Sequence, residues 1–311
     1  DVTDAQKAAE EAAKAIAGAP EAVVKTPKPR YWTNSLLTKL DFGQTSLTNW
    51  AAGGYNNVTL KSFIDANANY KKKDLFFNNR LQLDYGFLYS EDKPFIQKSD
   101  DRMYYEGKFG YKALQTLNYS AQFNFKSQFS NSYNYPMPSK PAGAADDWEP
   151  GKSDWKQSRK LKSGFFAPAY TNIALGIDWV PTKWLTVNLA PLTGGFVVVT
   201  DESLRKSYSM ELKKKYESLD ALSSADVAAL VGDEKARYEA FVAAKTSGDA
   251  YRAARFEFGA QIKIDGKLLI NDNFKYTSQL VLFSDYLDKP QNIRVNWDNR
   301  FDWKIAKYFS L

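Results

Sequence analysis

The stretch "IRVNWDNRFDWKI", residues 293–305, alternates between apolar and polar side chains at every position except Asn299. Isoleucine, valine, tryptophan and phenylalanine occupy the odd positions, and arginine, asparagine, aspartate and lysine occupy the even ones. A period of two predicts a β-strand with one apolar and one charged face. In a soluble sheet the apolar face lies against the core, whereas in a membrane barrel it faces lipid and the polar face points inward.

The same alternation recurs along most of the chain and predicts ten strands that end near Ile305, with an eleventh beginning before Leu311. Many of the runs are much longer than the mean of about 5–6 residues for strands in soluble proteins. The clearest are residues 75–90, 116–129 and 254–265; weaker ones cover 35–48, 55–70, 103–112, 169–180, 184–199 and 270–283.

The connections between these strands alternate between short and long, which is typical of outer-membrane barrels and has no counterpart in a sandwich. We therefore predict an all-β fold, an antiparallel up-and-down transmembrane β-barrel of 10 to 12 strands that covers residues 31–311. Short turns are expected at "YKKKD" (70–74), "KALQT" (112–116), "VPTKW" (180–184) and "DGK" (265–267). Longer connections are expected at 91–102, 131–168, 200–251 and 284–292, and a brief one at 50–56.

Two segments depart from the two-residue period. Residues 1–18 are rich in alanine, glutamate and lysine, and a proline-bearing linker follows them. We expect residues 1–30 to form a periplasmic helix and linker. Residues 201–250 predict a helical extracellular insertion beside or over the barrel mouth, with Ser224 as an N-cap. The long loop at 131–168 carries proline, glycine and two tryptophans.

Composition excludes several kinds of chemistry. The chain has no cysteine and no histidine, so disulfides, Ser-His-Asp and Cys-His sites, and zinc sites of the His/Cys type cannot form. We expect no catalysis and no cofactor. The net charge of +6 comes from interspersed acids and bases, which disfavours nucleic-acid binding. No signal peptide is visible after Asp1, so an exported protein would be represented here by its mature chain.

The alternation assigns charged residues of both signs to the interior. Because a wide, ion-selective pore favours one sign at its constriction, mixed signs indicate a salt-bridged lumen that is narrow or blocked. The predicted lumen network is Arg80, Asp84, Arg255, Glu257, Lys263, Arg294, Asp298, Arg300 and Asp302. The residues predicted to face lipid or a partner are Leu81, Leu83, Phe123, Phe125, Trp297, Phe301 and Trp303.

The segment "GQTSLTNWAAGGYNNVTLKS" (43–62) contains the pattern W-x-x-G-G-x-N at Trp50, Gly53, Gly54 and Asn56. This pattern resembles the N-terminal signature of a Bacteroidota outer-membrane β-barrel family of uncharacterised function. The similar length and strand layout extend the resemblance to about residues 30–311. It implies an outer-membrane location and a barrel fold, but no substrate. Members carry one more hairpin and usually end on an aromatic residue, whereas this chain ends "KYFSL" (307–311). Either its terminal strands are absent from the sequence, or this barrel closes with ten.

Three functions are compatible with these observations. The first is an accessory or structural subunit of a larger outer-membrane complex, with the lipid bilayer and other outer-membrane proteins as partners. The second is a transport barrel for a small solute, gated by its long loops. The third is a soluble β-sandwich binding module.

Overall fold

The computed structural model describes residues 6–8, 10–11, 30–48, 54–306 and 309–310. The chain divides into two compact units, residues 1–31 and residues 32–311. In the first unit, residues 6–8 and 10–11 are helical. Most of the N-terminal helix and linker predicted for residues 1–30 lies outside the described residues.

Long antiparallel strands dominate the second unit. The described strands are β1 (Trp32–Thr45), β2 (Asn57–Lys72), β3 (Leu75–Ser90), β4 (Lys93–Lys112), β5 (Leu117–Ser127), β6 (Ser132–Asn134), β7 (Lys160–Ser163), β8 (Ala169–Thr182), β9 (Leu185–Val198), β10 (Ala254–Asn271), β11 (Phe274–Asp285), β12 (Arg294–Ala306) and β13 (Phe309–Ser310). All but β6 and β7, which pair with each other, form one sheet in chain order from β1 to β13.

This topology confirms the prediction of a mostly β chain with ten long antiparallel strands, followed by a short eleventh. Because the long strands form a single meander, the arrangement is not a sandwich of two facing sheets. Among the described residues, β1 and β12 do not pair, so the sheet is not closed.

The predicted loop at 91–102 is wrong, since β4 already begins at Lys93, after a turn at residues 91–92. β5 pairs with β4 only from Met103 to Lys112. The earlier part of β4, residues 93–102, is contacted by the long loop at 128–168. The rings of Phe95 and Tyr135 lie 5.0 Å apart, and the Lys93 ammonium lies 5.3 Å from the centroid of the Trp155 ring. Pairing with β3, which extends to Ser90 opposite Lys93, keeps the segment extended, and the contacts with the long loop cover it.

The predicted turn at "DGK" (265–267) is also wrong, because these residues lie inside β10 and the turn falls at residues 272–273. Gly266 is paired with Ser278 on one side and with Leu185 on the other. A turn at this glycine would forfeit the ladder hydrogen bonds that β10 and β11 form beyond it, so tertiary pairing overrides the local Asp-Gly signal.

The connections sort by length between the two ends of the sheet, with one exception. At one end, which we call the turn end, the connections are short and cover residues 73–74, 113–116, 183–184 and 272–273. At the other end, which we call the loop end, the connections cover residues 46–56, 91–92, 128–168, 199–253 and 286–293. The exception is 91–92, which is as short as a turn.

Helices occur in the two longest connections. Helix α1 (Lys152–Ser158) lies in the 128–168 connection; α2 (Glu202–Arg205), α3 (Lys214–Asp220), α4 (Ser224–Ala229) and α5 (Gly232–Ser247) lie in the 199–253 insertion. The predicted N-cap at Ser224 is off by one residue. The Ser223 hydroxyl accepts from the backbone N of Asp226 at 3.2 Å, and the Asp226 carboxylate accepts from the backbone N of Ser223 at 3.0 Å. This reciprocal capping box places the cap at Ser223.

The insertion has a conventional apolar core. Leu204, Met210, Phe241 and Ala250 are buried together against Val197 of β9. Burying apolar side chains away from water is the main favourable term in the folding of water-exposed protein. The insertion therefore follows the usual inside-apolar rule, in contrast to the sheet that carries it.

Candidate functional site: the polar inner face of the sheet

The polar face of the sheet is its buried face. Gln122 and Asn188 are only 2% exposed each, whereas Leu175 and Leu189 on the opposite face are 46% and 47% exposed. Soluble sheets bury their apolar faces, so this distribution is inverted. We call the buried polar face the inner face and the opposite one the outer face.

One cross-sheet contact shows that the inner face is concave. Lys263 Nζ of β10 donates to Glu106 Oε2 of β4 at 3.3 Å, although β5, β8 and β9 lie between these strands. In a flat sheet four inter-strand steps would separate them by about 19 Å. The sheet therefore curls, and its polar side chains converge.

Glu106 is the centre of one cluster on the inner face. Besides Lys263, its Oε2 accepts from the Tyr104 hydroxyl at 2.8 Å and from Gln122 Nε2 at 3.1 Å. Nearby, Arg80 forms a two-nitrogen contact with Asp65, with Nη2 donating to Oδ2 at 2.6 Å and Nε to Oδ1 at 3.1 Å. Both carboxylates are thus neutralised by a base, which makes their burial tolerable.

A second buried cluster surrounds Asp178 of β8. Its Oδ2 lies 2.7 Å from Lys108 Nζ, and its Oδ1 accepts from Asn188 Nδ2 at 2.7 Å and from the Ser120 hydroxyl at 3.2 Å. The four residues come from four consecutive strands of the sheet. This cluster fills the interior along β4, β5, β8 and β9 with paired polar groups.

Towards the loop end, Glu257 joins two arginines. Its carboxylate accepts from Arg255 Nη2 at 2.8 Å and from Arg294 Nη2 at 2.6 Å. Arg255 Nη1 also donates to the backbone O of Ser209 at 2.8 Å, which ties the helical insertion to the inner face. Burial raises the pKa of the nearby Tyr208 phenol, so this side chain stays neutral and acts as a hydrogen-bond donor to Lys162 O at 3.0 Å.

Two cavities lie within the part of the interior that the described residues form. The upper cavity, at the loop end, has a volume of about 500 Å³ and is lined among others by Asp84, Arg102, Lys126, Tyr170 and Tyr208. The lower cavity, nearer the turn end, has about 1220 Å³ and is lined among others by Asp65, Arg80, Lys275, Asp298, Arg300 and Asp302.

The structure places all nine residues of the predicted lumen network on the inner face. Arg80, Arg255, Glu257, Lys263 and Arg294 belong to the clusters above. Asp84 accepts from Arg102 Nε at 2.6 Å, and Arg300 Nη2 lies 2.7 Å from Asp302 Oδ1. Asp298 lines the lower cavity beside that pair.

The outer face carries exposed apolar side chains, arranged in zones. Aliphatic residues in its middle include Leu81, Ile173, Leu175, Leu189 and Ile262, together with Phe123 and Trp297. Exposed aromatic residues concentrate towards both ends: Trp32, Tyr111, Tyr119, Trp179, Trp184 and Trp303 at the turn end, and Phe87, Tyr89, Phe129, Phe196, Phe256 and Tyr286 at the loop end.

Of the residues predicted to face outward, Leu81, Phe123, Trp297, Phe301 and Trp303 are exposed on the outer face. The other two are half-buried. Leu83 borders a shallow outer groove with Ile64 and Phe129. Phe125 packs on Phe166, with 5.7 Å between ring centroids.

Asn56 of the predicted signature links the β1–β2 connection to the β3–β4 turn by hydrogen bonds. Its Oδ1 accepts from Leu47 N at 2.5 Å, and its Nδ2 donates to Glu91 Oε1 at 2.9 Å. Gly54 has φ of 116°, a conformation that strongly favours glycine. These two residues shape the β1–β2 connection. Trp50 and Gly53 lie outside the described residues.

Several interior residues are not part of the predicted network, among them Arg102, Gln122 and Asn188. Arg102 falls in the segment predicted as a loop, to which alternation assigns no face. Gln122 and Asn188 are uncharged, and only their burial among charged partners reveals their importance. Their even-numbered positions beside outward Phe123 and Leu189 are the signal that could have identified them.

Neither a metal centre nor a membrane-spanning helix is present in the part of the chain that the structure describes. No group of three or more acidic side chains is arranged to hold a metal ion within those ranges. The helices found there are too short or too polar to cross a bilayer.

Comparison with known proteins gives a family of unknown function and a distant structural likeness. Residues 42–133, less than a third of the chain, match the family described as "Protein of unknown function (DUF3078)". No curated protein matches the chain. Among solved structures, the translocator domain of autotransporter NalP from Neisseria meningitidis is similar over 98% of this chain and 88% of that one, with 11% identity and a TM-score of 0.35. A likeness this loose supports no functional argument.

Proposed function

We propose that the chain is a β-barrel of the bacterial outer membrane that acts without catalysis, as an accessory or structural subunit of a larger outer-membrane complex. The observation that carries this proposal is the inverted sheet, in which Gln122, Asn188 and Lys263 are buried while Leu175 and Leu189 are exposed. Water penalises such an outer face through the hydrophobic effect, whereas lipid does not.

The spacing of the aromatic zones supports insertion into a bilayer. Along β3, Phe77 near the turn end and Phe87 near the loop end both point outward, and about 33 Å of strand separates them. With the strand tilt of roughly 40° found in membrane barrels, this corresponds to about 25 Å along the membrane normal. That height equals the apolar band that aromatic girdles flank in such barrels.

Among the described residues, β1 has no partner on its outer edge and β12 is paired there only with the short β13 at residues 304–306, which supports closure of the sheet within the bilayer. Open sheet edges are not tolerated in lipid, because their N–H and C=O groups find no hydrogen-bond partners there. The ten long strands alternate in direction, so β1 and β12 run antiparallel to each other. They can therefore pair in the same way as every other neighbouring pair in the sheet.

The helical insertion suggests the orientation. Its conventional core, centred on Phe241, is that of a domain in water, and it extends from the loop end. Outer-membrane barrels place their longer loops outside the cell and their short turns in the periplasm. In this orientation the end of β1 at Trp32 lies on the periplasmic side.

The paired interior favours a structural role over open conduction. The clusters around Glu106 and Asp178 tie neighbouring and distant strands together and occupy much of the interior. Charges that are already neutralised by partners are poorly placed to act as general acids or bases. We therefore assign the chain no reaction.

Transport of a small solute is the second candidate. The upper and lower cavities, of about 500 and 1220 Å³, leave polar space within the interior. Gln128 and Pro168 of the 128–168 connection and Tyr208 of the insertion line the upper cavity. In a transport barrel these two segments would form the gate.

The native mass of the particle in the cell envelope distinguishes these functions. After extraction in mild detergent, a particle well above one chain plus its micelle is expected, and mass spectrometry of copurifying proteins identifies the complex. A particle containing one chain alone would favour transport. Recovery of the chain in the aqueous fraction without detergent would refute the membrane assignment.

A further inference from the structure

The two interior cavities share one lining side chain, Arg102 of β4. Asp84 and Asp100 line the upper cavity only, and Gln82 and Glu106 line the lower cavity only. Arg102 therefore stands at the boundary between two otherwise separate spaces.

A single ion pair holds Arg102 in that position. Its Nε donates to Asp84 Oδ2 at 2.6 Å, and the two side chains are 41% and 25% exposed. In contrast, Gln122 on the neighbouring β5 and Asn188 on β9 are only 2% exposed. The open part of the interior therefore runs past Arg102, beside a filled part along β5, β8 and β9.

We propose that the two cavities are halves of one latent path for small polar solutes and ions, which the Arg102–Asp84 ion pair closes. This inference rests on the proposed closure of the sheet as a barrel in a bilayer. In that setting the outer face is sealed by lipid, and passage between the two ends must go through the interior. Displacing one guanidinium would then join the upper and lower cavities.

Removing Arg102 also determines which ions pass. The loss of its positive charge leaves Asp84 unpaired at the boundary. Of the other carboxylates that line the upper cavity, Asp100 lies 2.6 Å from Lys61 Nζ and Asp101 lies 2.5 Å from Lys98 Nζ, so the negative charge that becomes free is that of Asp84. Carboxylates at a constriction favour cations, so the opened path is expected to be cation-selective.

The test is electrical recording from the full chain reconstituted in planar lipid bilayers in potassium chloride. The wild type is expected to be silent, and Arg102→Ala is expected to show stepwise currents with a cation-selective reversal potential. The matched control is Arg300→Ala, which also breaks an ion pair, with Asp302 at 2.7 Å, but lines only the lower cavity. It is expected to remain silent.

Exchanging the two charges tests the pair itself. The double variant Arg102→Asp, Asp84→Arg restores a pair of opposite charges at the boundary and is expected to be silent again, whereas Arg102→Asp alone is expected to conduct. A silent Arg102→Ala variant that protease protection shows to be inserted would overturn the path. Wild-type currents equal to those of Arg102→Ala, or anion selectivity, would overturn it as well. If no variant enters lipid at all, the membrane proposal fails, and this inference fails with it.

Discussion

Arginine at the middle of the outer face should destabilise the protein by an amount that reports on lipid. Leu81 of β3 is 37% exposed and points away from the interior. It lies four residues beyond Phe77 and six before Phe87, which corresponds to about 10 Å and 15 Å along the normal of a membrane barrel. Leu81 is therefore near the middle of the proposed apolar band.

The expected cost of Leu81→Arg is about 2–4 kcal/mol of unfolding free energy, since this is the cost of arginine at the bilayer midplane. It corresponds to a change of roughly 30- to 700-fold in the folding equilibrium. The matched control is Val242→Arg on α5 of the insertion. Val242 is exposed to a similar extent, 44%, but on a surface that faces water. Its substitution is expected to stay within about 0.5 kcal/mol.

Equilibrium unfolding in urea, followed by tryptophan fluorescence in lipid vesicles, measures both variants against the wild type. The reasoning depends on the difference between the two arginines, because both add the same charge to an exposed apolar site. Equal and small effects would mean that the outer face meets water rather than lipid. The membrane assignment would then be wrong, whatever the shape of the sheet.

Three further predictions concern the insertion. Phe241→Ala removes a side chain that is 2% exposed and should cost about 3–5 kcal/mol locally, detected as faster proteolysis within residues 199–253 while the sheet stays intact. The hydrogen bond from Ser223 lowers the pKa of Asp226, so this contact stabilises α4 above the usual aspartate pKa of about 3.9 and is lost as pH falls through the folded value. Ser223→Ala removes the hydroxyl but keeps the backbone N–H donor, so it should reduce the acid-dependent part of the helical circular dichroism. Gly248 ends α5 with φ of 93°, and Gly248→Ala should cost more than about 1 kcal/mol in thermal unfolding.

Alternation in the sequence predicted the strands well because a period of two is a local property. Residues 75–90 were predicted as a strand, and β3 has the same bounds. The errors occur where distant contacts override local signals. Residues 93–102 become strand because they pair with β3 and the 128–168 connection packs on them, and Asp265-Gly266 stays extended because β9 and β11 pair on both sides.

The candidate site was predictable in part. Alternation alone assigned Arg255, Glu257 and Arg294 to one face, and the structure joins them in one ion-pair cluster. It could not indicate that Lys263 meets Glu106, since 157 residues separate them and the contact depends on how far the sheet curls. The division of the interior at Arg102 is likewise a property of packing.

The amino-acid sequence by itself determines which side chains share a face of each strand, because successive residues of a strand must point to opposite sides. It also excludes histidine and cysteine chemistry by composition. It does not determine which face becomes concave. That depends on the register and twist of ten strands together, and on whether charges such as Glu106 and Lys263 meet partners across the interior. An ionised side chain is stable in the interior only when its partner is there, so the polar face can turn inward only in the assembled sheet.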